Sequence, residues 1–297
     1  MTATDVASKQ ASSTRAGGPH PPVPDPEGIE FLQWCLPRLG LRWRGFRKVR
    51  KRVYRRIARR IQELGLPGLS AYRAHLGANA AEWAILDGLC RIPISRFYRD
   101  RGVFQYLEEA VLPELGALAA ARGETELGCW SIGCASGEEP YTLAIVWRLG
   151  PGRRVPNLGL RVLATDVDPD NLARARGGCY SRSSLKDLPP AYLAQAFVPT
   201  DQGWRLHETY REGVIFLEQD IRRAAPPGPF HLVLCRNAAF TYLDEGRQRD
   251  ALRTIVARLV PGGALVIGSG ESLPDDVPGL EVWSEKARVY RRGRGTP

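Results

Sequence analysis

No stretch of this sequence approaches the roughly 18–20 consecutive apolar residues needed to cross a bilayer, which excludes an integral membrane protein. Its first residues carry no basic-then-apolar signal, so export is not expected. Cysteine is sparse: Cys35, Cys90, Cys129, Cys134, Cys179 and Cys235 are scattered over 297 residues without a CxxC pair. That pattern suggests neither a disulfide framework nor a zinc site, and it suits a reducing cytoplasm. The four histidines, His20, His75, His207 and His231, have no metal-ligating spacing, so no metal is expected. No internal repeat is visible.

Positive charge, by contrast, is plentiful and concentrated. The chain holds 42 Lys+Arg against 32 Asp+Glu, a formal net charge of +10. Residues 1–65 carry 14 of the basic and 5 of the acidic residues, which is +9 and leaves +1 for the other 232. Whatever this charge serves, it sits near the N-terminal end. Hydrophobic residues make up 43% of the chain, enough for a core and too many for global disorder. The length of 297 exceeds the ~100–200 residues of a usual domain, so one large domain with a smaller one is expected.

Residues 1–28 are rich in Ala, Ser, Thr, Gly and Pro, lack a periodic apolar face and read as a disordered tail. Residues 29–112 read as a helical domain. Within it the segment Arg47–Leu64, RKVRKRVYRRIARRIQEL, sets Val49, Val53, Ile57 and Ile61 four apart, an apolar stripe on a cationic helix that Gly65 stops. A second helix starts near Ser70, a connection follows Pro93, and a further helix spans Gly102–Leu112. From residue 113 to 297 strands and helices alternate. Gly128–Gly133, Arg161–Thr165, Val214–Leu217, His231–Cys235 and Ala264–Gly268 are the expected strands. Glu138–Leu149, Asn171–Arg176 and Asp244–Val260 are the expected helices, the last closed by Pro261-Gly262-Gly263. Such alternation predicts an α/β fold, a mostly parallel sheet covered by helices on both faces. Between Phe197 and Ile215 the rhythm breaks into short stretches, which predict a small antiparallel β insertion at about residues 197–217.

The ends of three strands carry the chemistry. The first strand runs into Gly133-Cys134-Ala135-Ser136-Gly137-Glu138-Glu139, a glycine-containing turn that opens a helix, the geometry of a nucleotide-type ligand site. The turn is not GxGxxG and no Lys follows it, so it is neither a dinucleotide fingerprint nor a phosphate-cradling loop. Glu138 and Glu139 at the helix start disfavour a phosphate and suit a cationic or hydroxyl-rich ligand. The second strand ends in Thr165-Asp166-Val167-Asp168-Pro169. Asp168, directly before a proline, reads as a helix N-cap, whereas Asp166 is the better candidate to accept both hydroxyls of a ribose. The strand His231–Cys235 ends in Arg236-Asn237 with Tyr242 beyond, polar groups where α/β sheets bind ligands. Cys134 and Cys235 flank these loops but read as small packing residues, since no histidine is placed to activate them.

Taken together, Phe97-Tyr98-Arg99, GCASGEEPYTLAI from Gly133, ATDVDPDNLARARGGCY from Ala164, FHLVLCRN from Phe230 and PGGALVIGSGESL from Pro261 resemble, in order, the blocks of CheR-type chemoreceptor methyltransferases. The likeness covers roughly residues 35–290. It implies a Rossmann-like S-adenosylmethionine-dependent domain, a small all-helical N-terminal domain and a small antiparallel β-subdomain, with the activity of a protein-glutamate O-methyltransferase. It further implies cofactor contacts from the Gly133 turn, Glu139 and Asp166, with Asp166 on the ribose. Asp220 and Ile221 would lie on the adenine side, Arg236 and Asn237 would meet the cofactor, and Ser95 and Arg99 would join them. By the same resemblance Arg99 holds a substrate carboxylate and Tyr242 is the active-site tyrosine.

The sequence departs from the family pattern at several points. Pro93 stands where an Asn is common, and Ser269 where a His is common. Tyr242 lies one residue further from Asn237 than usual, with Thr241 in the usual place. Either the loop carries an extra residue or Tyr242 stays out of reach. The short loop at Thr200–Gly203 implies a member that needs no receptor tail as a tether, or one that diverges from the family.

A glutamate side chain is already ionised at neutral pH and needs no strong base to attack a methyl group. Alignment of the reacting atoms can itself supply ~7–11 kcal/mol. The resemblance implies an acidic helical region of a receptor or signalling protein as partner, which Arg52, Arg55, Arg56 and Arg59 would steer and bind. Two other readings compete. A nucleic-acid methyltransferase would also use the cationic helix, but the sequence has no Asn/Asp-Pro-Pro-Tyr block and no RNA-binding module. A non-catalytic cofactor-binding regulator would account for the departures at Pro93 and Tyr242. The expected protein is a cytoplasmic monomer without membrane insertion or nucleic-acid binding.

Overall fold

The computed structural model describes residues 26–275 and 278–293. Five helices lead the chain: α1 (Pro26–Arg38), α2 (Trp43–Phe46), α3 (Arg50–Glu63), α4 (Leu69–Ala78) and α5 (Ala80–Leu89). Of the tail expected at residues 1–28, residues 1–25 lie outside the described residues and the remainder belongs to α1. The four-residue spacing on α3 buries Val53, Ile57 and Ile61 on one face. The helix is shorter than its periodicity predicts, because residues 47–49 form a turn ending in the N-cap Val49 and Leu64 is the C-cap. Nothing caps α3 with a side chain, and it opens with Arg50, Lys51 and Arg52. Cations at that end are disfavoured by the helix dipole, by about 0.3–1 kcal/mol each. Its apolar face therefore holds it, at about 1.5–3 kcal/mol per buried aliphatic side chain. A buried carboxylate adds a polar tie: Glu82 on α5 accepts Nε and Nη2 of Arg60 at 3.0 and 2.9 Å and the Tyr72 hydroxyl at 2.9 Å.

The helix expected to stop at Leu112 runs on. α6 (Arg101–Tyr106) passes through a π-turn at Leu107–Val111 into α7 (Leu112–Ala121). The chain then alternates through β1 (Glu126–Ile132), α8 (Glu138–Leu149), β2 (Gly159–Asp166) and α9 (Pro169–Gly177). A small excursion follows, with β3 (Cys179–Tyr180), α10 (Pro190–Ala196), β4 (Phe197–Thr200) and β5 (Gly203–Leu206). The chain returns through β6 (Val214–Glu218), β7 (Phe230–Cys235), α11 (Ala239–Tyr242), α12 (Glu245–Arg258), β8 (Leu259–Ile267), β9 (Leu280–Ser284) and β10 (Val289–Arg292).

Seven strands form one sheet in the order β6-β2-β1-β7-β8-β10-β9. The first five are parallel, and β10 runs antiparallel to both of its neighbours. All six residues of β7 are buried, as a parallel strand covered on both faces requires. The result is the expected Rossmann-like α/β domain with a helical N-terminal region and a small antiparallel sheet.

Two local expectations need correction. The small sheet, β3-β5-β4, occupies residues 179–206, not 197–217, and Val214–Glu218 is instead the edge of the main sheet, paired with β2. Pro261-Gly262-Gly263 does not close a helix. It lies inside β8, where Gly262 takes φ 83° and the pairing with β7 shifts register, the signature of a bulge.

The leading helices are not appended from outside. Phe46, Val53, Ile57 and Tyr72 share one buried cluster with Trp130 of β1, Phe230 of β7 and Leu252 of α12. A single antiparallel bridge also pairs Leu41 with Leu243. Among the described residues, no helix is long and apolar enough to cross a membrane.

Candidate functional site

The strand order reverses between β1 and β7, and α/β sheets bind ligands at such a point, beyond the carboxyl ends of the strands. A cleft of about 1200 Å³, measured out to its open mouth, lies there. Ser95, Arg99, Gly133, Glu139, Asp166, Asp220, Ile221, Arg236, Asn237 and Tyr242 all line it. So does Pro93, which has no N–H to offer a ligand.

The turn after β1 is tightly wound. Gly133, Ala135 and Gly137 take φ of 70°, 48° and 88°. For Ala135 the left-handed region costs about 1–2 kcal/mol. Asp166, at the end of β2, offsets that strain. Its Oδ2 accepts the Ala135 N–H at 2.8 Å and its Oδ1 the Asp168 N–H at 3.0 Å. Burial pushes the Asp166 carboxyl above the usual range, and the two N–H bonds pull it back. A Cβ on Gly133 would stand 2.9 Å from the Ala238 methyl, so only glycine lets this turn approach the loop after β7. Asp168 caps α9 as expected, accepting the N–H groups of Asp170 and Asn171 at 3.0 and 3.3 Å.

The two acidic residues opening α8 diverge. Glu139 lines the cleft, accepting the Ser131 hydroxyl on Oε1 at 2.8 Å and Arg236 Nη1 on Oε2 at 3.0 Å. Burial raises its carboxyl against the charge of Arg236. Glu138 is buried outside the cleft lining and accepts the Ser184 hydroxyl at 3.0 Å. Arg236 is the hub of the site, with a side chain 2% exposed. Besides Glu139 it binds Asp100 Oδ2 at 2.8 Å and the Arg99 carbonyl at 2.9 Å through Nη2, and it lies 5.2 Å from the Phe104 ring centre. Arg99 donates Nη1 to the Ile94 carbonyl at 2.9 Å.

The extra residue before Tyr242 does not keep it from the cleft. α11 brings Tyr242 into the lining beside Phe46, with ring centres 5.1 Å apart, while Thr241 turns its hydroxyl to Glu271. Burial pushes the Tyr242 phenol up, and the cations pulling it back are Arg99 and Arg52. On α3, Arg52, Arg55 and Arg59 are exposed. Arg56 is half-buried and donates Nη1 to the Leu89 and Arg91 carbonyls, so it braces α5.

Two supporting residues stand outside the expected site set, although Glu271 lies in the block quoted from Pro261. Arg42 donates its N–H to the Tyr242 carbonyl at 2.8 Å and Nε to the Thr241 carbonyl at 3.1 Å, with a further bond to the Phe240 carbonyl. It thereby satisfies the carbonyl end of α11. Glu271 is buried and accepts the N–H groups of Asn237 at 3.0 Å and Gly268 at 2.6 Å. It holds Asn237 in the left-handed region at φ 55°. Cys134 and Cys235 are buried thiols whose pKa burial pushes up, consistent with packing.

Residues 94–288 match the family described as CheR methyltransferase, SAM binding domain. The chemotaxis protein methyltransferase of Salmonella typhimurium is 32% identical over 235 residues, covering 75% of this chain and 76% of that one. The chemotaxis protein methyltransferase of Listeria innocua is 33% identical over 199 residues, covering 67% and 72%. An uncharacterized 104.1 kDa protein of Rhodobacter capsulatus is 32% identical over 239 residues, and there the chain spans only 25% of the relative's length. The matched stretch contains Ser95, Arg99, Glu139, Asp166, Arg236 and Tyr242, and with it the chain belongs to the CheR methyltransferase family.

Proposed function

We propose that this protein transfers the methyl group of S-adenosylmethionine to glutamate side chains of a chemoreceptor or related signalling protein, forming carboxyl methyl esters. As a CheR methyltransferase it uses S-adenosylmethionine, and we place that cofactor in the cleft. Its acceptors, Glu139 and Asp166, suit a ligand with a positive charge and two ribose hydroxyls, and Gly133 leaves room for close approach. Asp220, Ile221, Asn237 and Ser95 complete the proposed binding set.

The observation that carries the substrate assignment is that Arg99 and Tyr242 line the same cleft as these carboxylates. When bound, the cofactor supplies an electrophilic methyl carbon on a sulfonium. Arg99 binds the incoming carboxylate with the donors it does not use on Ile94. Tyr242, its phenol pushed up by burial, stays protonated at neutral pH and donates a second hydrogen bond. The carboxylate arrives ionised, so no side chain has to accept a proton. Arg236 fixes the Arg99 backbone and so sets the acceptor's position.

The partner proposed is an acidic helical segment. α3 keeps three cations at the end its dipole disfavours, which stability does not explain and recognition of an acidic surface does. The relatives are named chemotaxis methyltransferases, which favours a chemoreceptor.

The test is transfer of a radiolabelled methyl group to the cytoplasmic fragment of a receptor. The product should release methanol in alkali, as an ester does. Alkali-stable label, or label in nucleic acid, sinks the proposal. Arg99→Ala should lower the rate about tenfold to a hundredfold. Arg52→Glu combined with Arg55→Glu should lower kcat/KM about tenfold at low salt, with the gap closing near ~0.5 M salt. An equal loss at every ionic strength would exclude steering.

A further inference from the structure

Arg222, in the loop after β6, joins two carboxylates from distant parts of the chain. Its Nη1 and Nη2 donate to Oδ1 and Oδ2 of Asp87 on α5 at 2.7 and 2.8 Å. Its Nε donates to Oδ1 and Oδ2 of Asp220 at 3.0 and 2.9 Å, and its backbone N–H to Oδ1 at 2.9 Å. The side chains of Arg222, Asp87 and Asp220 are only 14, 17 and 18% exposed, so salt screens this fork poorly. Burial would raise the Asp220 carboxyl, but its bonds to Arg222 outweigh that and hold it below the usual range.

The same end of α5 is anchored twice more. Arg91 donates Nη1 to the Val167 carbonyl, just beyond β2, at 2.9 Å. Arg56 reaches the Leu89 carbonyl from α3 at 3.2 Å. The last turn of α5 is thus bound to the ends of β2 and β6. Asp87, Arg91, Asp220, Ile221 and Arg222 all line the cleft. One wall of the cleft is therefore made of two separate segments, and Arg222 is the side chain that bonds to both.

We propose that Arg222 is a positioning residue for the cofactor: it clasps α5 to Asp220 and Ile221, and the shared wall keeps its binding shape only while the clasp is closed. This rests on the cofactor reading of the cleft and extends it to a residue that the family resemblance does not assign. The clasp couples α5 to cofactor affinity through one interaction, so its two sides are not independent.

The experiment is calorimetric titration of the full chain with S-adenosylhomocysteine, at a temperature where circular dichroism shows each variant folded. Arg222→Met should raise Kd about tenfold or more. Arg222→Lys keeps the charge but not the fork and should fall between. Asp87→Asn should raise Kd about fivefold, and the double variant should be no weaker than Arg222→Met alone. A merely structural clasp would lower the unfolding temperatures and leave Kd unmoved. Folded variants with Kd within about twofold of the unaltered protein overturn the proposal. If Arg222→Met does not fold, Asp87→Asn decides by the same criterion. Absence of binding by the unaltered protein overturns the cofactor reading of the cleft, an outcome distinct from equal binding by all variants.

Discussion

Asp166→Asn should abolish tight cofactor binding. The substitution keeps shape and removes charge, so the loss comes from hydrogen bonding. Both oxygens of Asp166 already accept backbone N–H groups, from Ala135 at 2.8 Å and Asp168 at 3.0 Å. An amide can satisfy only one of them and turns its own NH2 on the other. Ala135 then keeps its left-handed strain without its partner. In the proposed complex the two ribose hydroxyls also donate to this carboxylate. Hydrogen bonds to a charged group contribute about 1.5–3 kcal/mol each, so two of them amount to about 3–6 kcal/mol. That is a rise in Kd of about two to four decades. Titration with S-adenosylhomocysteine measures it, and a Kd within about tenfold of the unaltered protein would move the ribose elsewhere.

The same carboxylate gives binding a pH dependence of definite sign. Burial raises Asp166 and Glu139 above their unfolded values. The folded state therefore holds these two protons more tightly, and their contribution to stability is full at low pH and lost as pH rises through the folded values. Acidification through that window does not unfold the protein through these groups. It neutralises the proposed ribose acceptor, so cofactor affinity should fall while the fold persists. Glu82 behaves oppositely. The Arg60 hydrogen bonds hold it below the usual range against burial, so its contribution is present at neutral pH and lost only as pH falls through that lowered value.

The second large effect is on stability. Arg236→Met strips the buried partner from Glu139 and Asp100 at once and removes the donor to the Arg99 carbonyl. Breaking a buried pair by removing one partner costs about 3–5 kcal/mol. Against the about 5–15 kcal/mol that holds a typical domain, this is a large share. The urea midpoint should fall by about 1 M or more. Arg236→Lys should not restore it, because one ammonium cannot reproduce a fork that meets three acceptors. The deficit should shrink as pH falls, since protonated Glu139 no longer needs a cation. A midpoint within about 0.3 M of the unaltered protein would show that Arg236 is not the hub.

Asp166 and Arg236 could be singled out in the sequence because each stands at a strand end, where parallel strands carry their ligand chemistry, whereas only the family resemblance separates Glu139 from Glu138. Fold class followed from the same alternation. Spacing alone left Tyr242 undecided. Asn237 in the left-handed region and Ala238 at φ −123°, ψ −104° bend the chain between Asn237 and Tyr242, and Thr241 is diverted to Glu271. Arg42 was invisible because its acceptors are 198 and 199 residues away. The role of Glu271, whose donors lie up to 34 residues back, was invisible for the same reason. The Pro261-Gly262-Gly263 run misleads because a helix stop and a strand bulge use the same residues, and only the partner strand distinguishes them. Two-residue β3 is too short for any period to register.

The grip of residues 41–45 on α11 has a consequence for engineering. Any side chain at Gly45 would come within 2.2 Å of the Thr241 carbonyl, and Arg42 ties down the carbonyls on either side of it. The N-terminal helices proposed to dock the partner and the tyrosine proposed for the active site are thus set in one mould. A chimera that exchanges the N-terminal module to redirect the enzyme to a new target must carry Arg42 and Gly45 across the joint. Residues 113–297 expressed alone would lose the contacts that seat α11, and with them the proposed position of Tyr242.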